Sequence, residues 1–183
     1  MEVKGTGILA TRSFIEKKFA DQYQHFIHEL PLESKKIYTD LVKTSAWYSI
    51  EDAYYYPTKI IADLFYDGNE KKAGEEAGRF SADFALNGIY KVFLLVATPQ
   101  ALMKAAKRII SLYYKPVDAV ISKVEKNSLV LTTTKLYPSS SLLDYRTAGW
   151  CQRALELANC KNVKYHFVST DKEDEYAIKL YWD

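Results

Sequence analysis

Residues 119–134 read AVISKVEKNSLVLTTT. Two runs rich in β-branched residues, Ala119 to Glu125 and Ser128 to Thr134, flank the polar pair Lys126-Asn127. This pattern predicts a β-hairpin. Downstream, Leu143, Trp150, Cys151, Ala154 and Ala158 recur at helical spacing and predict a helix over 142–157. Two alternating runs follow, with Val163, Tyr165 and Phe167 on one face of the first. Tyr176, Ile178, Leu180 and Trp182 share a face of the second. His166 points away from its ring-bearing neighbours. The polar turn Asp171-Lys172-Glu173-Asp174 joins the two runs. The expectation is a β-β-α-β-β unit, its helix packed on an antiparallel sheet.

Upstream of Pro116 the apolar period is helical. Ile8 to Phe19 and Asp21 to Leu30 read as helical pieces, and Pro31 and Ser34 open another through Leu41 and Val42. Ser49, three residues before Asp52, is a capping-box-like start. Its helix runs through Tyr54-Tyr55-Tyr56-Pro57 to Phe65 and stops at Asp67-Gly68. Residues 70–86 form a further helix, and 89–97 are apolar almost all round, which predicts burial on every side. Thr98-Pro99 restarts the chain with an N-cap and Pro at the first helical position. Leu102, Met103, Ala106, Ile109, Ile110 and Tyr113 line one face of that helix; Lys104, Lys107, Arg108 and Lys115 form a basic, solvated face. The fold class expected is α+β, one domain over 1–183, with an internal pocket between helices and sheet.

Composition narrows the function. The chain has 15 Tyr, 8 Phe and 3 Trp among 183 residues. Tyr brings apolar bulk with a hydroxyl that needs a partner when buried, so an excess suits a half-polar core or a cavity wall. A net charge of +2 does not mark a nucleic-acid binder. The longest apolar run is too short for a membrane span, and residues 1–5 carry no signal core, so a cytoplasmic protein is expected. Two cysteines make no disulfide framework and, without a second pair, no metal site. His25 and His28 are three apart but lack a third ligand. No nucleophile elbow, P-loop or H-E-x-x-H motif occurs, so no enzyme is expected.

The order of landmarks resembles a bacterial paralogous family of unknown activity that is expanded in myxobacteria. The landmarks are Lys4-Gly5, Leu30-Pro31, Trp47-Tyr48, Gly88-Ile89-Tyr90, Thr98-Pro99, Tyr113-Tyr114, Gly149-Trp150 and Leu180-Tyr181-Trp182. That family is similar to a superfamily of haem-nitric-oxide/oxygen-binding sensors, four-vinyl-reductase domains and lipid-pocket subunits of Golgi tethers. The resemblance implies an α+β fold with a ligand pocket, a tendency to form homodimers, and signalling through a partner. Haem sensors of the superfamily bind iron through a His at the start of the buried helix. The matching stretch here begins Gly88-Ile89-Tyr90-Lys91 and has no His, and the Tyr-x-Ser-x-Arg motif for the propionates is missing. The cysteine metal site of the aromatic-sensing relatives is missing too, since the hairpin 169–176 has no Cys.

The sequence therefore points to a non-catalytic sensory domain for a small hydrophobic or aromatic molecule or an acyl chain, with no cofactor. Tyr54, Tyr55, Phe65, Phe84, Tyr90, Phe93, Tyr113 and Trp150 are the expected pocket residues. The alternative is an interaction or dimerisation module without ligand, docking through exposed rings such as Tyr54 or Tyr181. A haem protein using Tyr90 as ligand is a third reading.

Overall fold

The computed structural model describes residues 1–86 and 98–183, the side chains at 106 and 107 excepted. The expected apolar segment over 89–97, with Tyr90 and Phe93, lies outside the described residues. The chain opens with β1 (Glu2–Lys4), α1 (Gly5–Lys18), a 3-10 turn (Ala20–Gln22), α2 (Tyr23–Glu29) and α3 (Leu32–Thr39). Next come β2 (Trp47–Ser49), a π-turn (Glu51–Tyr55), α4 (Tyr56–Phe65), α5 (Glu70–Leu86) and α6 (Pro99–Tyr113). The rest is β3 (Tyr114–Lys115), β4 (Ala119–Ser122), β5 (Ser128–Thr134), α7 (Leu142–Leu157), β6 (Lys164–Val168) and β7 (Glu175–Tyr181).

The late sheet has the order β4-β5-β7-β6, antiparallel throughout. Leu129 pairs with Leu180 and Leu131 with Ile178, and all four are fully buried. Period two sets this register, because a one-residue slip would turn these side chains to solvent. α7 packs on the sheet through Ala148, Cys151 and Leu155. His166 turns to the other face, its ring 5.7 Å from that of Tyr181.

The first sheet, β2-β1-β3, was not anticipated. Val3 pairs with Tyr48 on one side and Tyr114 on the other. Strands of two or three residues show no period, and their partners are far apart in sequence. Tyr114, read from the sequence as helical, starts β3. α3 also ends earlier than expected, at Thr39. Leu41 is 88% exposed while Val42 is buried.

Pro57 shapes the entry to α4. Proline has no N–H, so the carbonyl four residues back loses its helical partner. That carbonyl belongs to Ala53, and it accepts a hydrogen bond from the buried Tyr38 hydroxyl at 3.1 Å. The chain passes this point as a π-turn, while Ser49 caps its start by accepting from the Asp52 N–H at 3.3 Å.

α5 and α7 approach backbone to backbone. A methyl group on Gly78 would run into the Arg146 carbonyl, and one on Gly149 into the Glu75 carbonyl. Ion pairs flank the contact: Arg79 grips Glu156 through two bonds of 2.9 and 2.7 Å, and Arg153 reaches Asp83 at 2.9 Å. Burial opposes ionisation of Glu156, yet the bonds from Arg79 and Arg153 hold its carboxyl below its usual range.

Gly78→Ala gains about 1 kcal/mol of helix propensity but forces the helices apart. A net loss of about 1–3 kcal/mol is expected in denaturant titration. Asp144, 5% exposed and with an unpartnered Oδ1, has its carboxyl pushed by burial to about 7. The folded chain thus keeps a proton that the unfolded chain releases at ordinary carboxylate pH. Stability from this group is full below about pH 4 and falls as pH rises toward 7. Asp144→Asn is expected to flatten that slope and to exceed the parent by about 1–2 kcal/mol at pH 8, read from thermal melts across pH.

Candidate functional site

A cavity of about 40 Å³ lies where α1, the π-turn, α5, α6 and α7 converge. Gly7 and Ala10 of α1 form its floor side. Tyr54, Ile109, Ile110, Tyr113 and Trp150 supply apolar walls, with Tyr114 and Cys151 beside them. The volume suits a few water molecules or one very small organic group.

The polar member of the wall is Arg146, only 2% exposed. Its Nη1 donates to Thr58 Oγ1 at 2.6 Å. Its Nη2 donates to Thr11 Oγ1 at 2.6 Å and to Ser81 Oγ at 3.2 Å. Each of these hydroxyls gives its own proton to the carbonyl four residues back: Thr58 to Tyr54, Thr11 to Gly7, and Ser81 to Ala77. Their lone pairs are thereby turned toward the guanidinium. The Tyr54 ring covers it, 3.8 Å from Cζ to the ring centroid. Such a cation–π contact is strongest when desolvated. Nε finds no partner among the described residues.

The Tyr114 hydroxyl donates to that of Tyr54 at 2.9 Å. Burial raises the Tyr114 phenol well above its usual value, so it stays protonated at neutral pH. Burial likewise pushes the Cys151 thiol up to about 12, which leaves no thiolate in the wall.

Of the residues expected at a pocket, Tyr54, Tyr113 and Trp150 line this cavity. Tyr55 instead stacks on Tyr137 at 3.8 Å, and Phe65 on Phe19 at 4.0 Å. Phe84 is 40% exposed. Tyr54 is only 3% exposed, so its expected availability for docking is corrected; Tyr181 is 37% exposed. The sequence reading missed Arg146 and its three hydroxyls. The signal was there: Arg146 lies three residues after Leu143 and four before Trp150, on the apolar stripe of its own helix.

No protein-family model and no curated protein matches the sequence. Solved structures do match in shape. An Fe(II) unliganded H-NOX protein mutant from K. algicida superposes with TM-score 0.74 at 13% identity, covering 98% of this chain and 96% of that one. An H-NOX protein from S. oneidensis in the Fe(II)NO ligation state gives 0.74 at 11% identity, covering 98% and 99%. An oxygen-binding H-NOX domain related to soluble guanylate cyclases gives 0.68 at 10%, covering 98% and 94%. The chain has the H-NOX fold.

That fold raises the question of haem. His25 and His28 lie together on α2 beside Glu29, and His166 is on β6. None of the three lines the cavity, and residues 87–97 contain no His. The cavity is far smaller than the several hundred Å³ that cofactor pockets usually offer. These residues do not fit a haem held by an imidazole. Among the described residues no group of three His, Cys, Asp or Glu is placed to hold a metal ion. No described helix is long and apolar enough to cross a membrane.

A buried cation with neutral partners weakens a core relative to a well-packed apolar side chain. Arg146→Met is therefore expected to unfold within about 1 kcal/mol of the parent or above it. Thr58→Val leaves the cation in place and removes an acceptor, and is expected to cost about 2 kcal/mol. Chemical denaturation of both variants checks the pair.

Proposed function

We propose that this chain is a non-catalytic sensory or ligand-binding domain whose ligand occupies the cavity between α1, α5, α6 and α7. One observation carries the reading: Tyr54, Tyr113 and Trp150, from three separate elements, converge on one enclosed, mainly apolar space. At about 40 Å³ the space takes only a very small molecule, and its apolar lining with few polar groups has the usual chemistry of a binding pocket. The ligand is a small molecule with an apolar or aromatic body. Tyr55 and Phe65 pack on Tyr137 and Phe19 instead, Phe84 is 40% exposed, and Tyr90 and Phe93 lie outside the described residues.

Several features support a binding role over catalysis. The cavity wall carries no imidazole, and its thiol and the Tyr114 phenol are held protonated. A nucleophile and its base are thus not paired there. The H-NOX neighbours are, by their descriptions, proteins that take NO or oxygen, which favours sensing as the general task. The proposed signal passes to a partner or across a homodimer. The order of landmarks, by its resemblance, supports a kinship with the myxobacterial paralogous family as part of this proposal.

The test combines native mass spectrometry of gently purified protein with a cavity-filling variant. A small organic molecule retained at about one per chain is expected, and its extraction names the class. Ala10→Val adds two methyl groups where Ala10 meets the cavity. It is expected to fold with unchanged or slightly raised Tm and to lose the retained mass. Retention by the filled variant would place the ligand elsewhere.

A further inference from the structure

We infer that the ligand of this cavity is a very small organic monoanion, a carboxylate bearing a short apolar tail, and that Arg146 binds its charge. This rests on the pocket reading above and adds the charge to it.

Arg146 carries a permanent positive charge, since guanidinium does not lose its proton in proteins. Its ion-pair ledger is empty. No carboxylate pairs with it among the described residues, and residues 87–97 contain neither Asp nor Glu. The same two helices treat their other arginines differently: Arg79 and Arg153 are both neutralised by Glu156 and Asp83. The partners of Arg146 are three neutral hydroxyls and a ring. Nearby phenols do not supply the missing charge, because burial raises Tyr38 and Tyr114 well above their usual value.

Three of the five N–H donors of the guanidinium are used in these bonds. The buried Nε is among those left over. An uncompensated buried charge is unfavourable, and an anion arriving with good hydrogen bonds recovers part of that cost. The cavity is small enough to admit a carboxylate head, and its remaining wall is apolar, with Ile109, Ile110 and Trp150 available to a tail. A phosphate dianion would leave a charge unbalanced, so a monoanion fits the single cation better.

Isothermal titration of the full chain with acetate and propionate, each against its amide, tests the charge. The carboxylates are expected to bind at least about 100-fold tighter than the amides. Binding should change less than about threefold between 50 and 500 mM NaCl, as buried pairs are weakly screened. Arg146→Met, shown to be folded by circular dichroism, is expected to abolish the preference for the carboxylate. Equal binding of acid and amide by the parent would overturn the inference while leaving the pocket reading intact. So would a carboxylate preference that survives in Arg146→Met. Binding of neither, together with a clean apo mass in native spectrometry, would remove both.

Discussion

The structure depends on the close approach of the backbones of α5 and α7. Gly74, Gly78 and Gly149 leave no room for a Cβ, because main-chain atoms of the facing helix stand where it would be. Glycine inside a helix weakens it by up to about 1 kcal/mol. Three of them at one contact make sense only if close approach matters more than helix propensity. The approach has a geometric consequence. With α5 pressed against α7, the Arg146 side chain reaches Ser81 on α5 and extends beyond it to Thr11 on α1 and Thr58 on α4. The interior polar cluster and the cavity beside it both derive from that contact.

The cluster is ordered by local chemistry. A Thr or Ser within a helix can donate back to the carbonyl four residues earlier, and this fixes where its lone pairs point. Three helices use that bond to aim acceptors at one guanidinium. The Pro57 turn acts similarly at the neighbouring position, freeing the Ala53 carbonyl for Tyr38. Tyr54 follows Ala53 directly, and its ring lies over Arg146. The π-turn thus lets one short segment satisfy its backbone and supply a face for a buried cation. This is an expensive way to build a core, since apolar side chains of similar volume would pack there at no electrostatic cost. Polar investment of this kind, beside a cavity, belongs to recognition more readily than to stability.

The late sheet was legible because its signal is local. Period two in β5 and β7, a polar turn and a helical stripe between them are each visible within about ten residues. The early sheet was not, because β1, β2 and β3 are short and pair across most of the chain. The site was partly legible for a related reason. Aromatic excess drew attention to Tyr54, Tyr113 and Trp150, while Tyr55 and Phe65 carry the same signal and pack elsewhere. A run of three tyrosines at 100° steps spreads its rings around a helix, and only the tertiary structure selects which one faces in. Arg146 was passed over because a charged residue reads as solvated face. Its position between Leu143 and Trp150 on the buried stripe is the better guide, because a charge placed there needs partners that local sequence does not show.

The arrangement also bears on how occupancy of the cavity is felt at a distance. One guanidinium is shared by α1, α4 and α5 and is carried on α7. An anion bound as proposed at the remaining donors would draw the guanidinium toward itself and loosen its bonds to Thr11, Thr58 and Ser81. Each hydroxyl that loses its bond releases one tie between two helices, worth about 1–3 kcal/mol where a charge is involved. Differential contact of that size is enough to shift a two-state packing equilibrium by one or more powers of ten. The shift is spread over helices that also carry the first sheet, since β1 leads directly into α1 and β3 continues from α6. Coupling through a shared buried donor requires no long pathway of contacts. It requires only that the fold and the proposed ligand share one guanidinium.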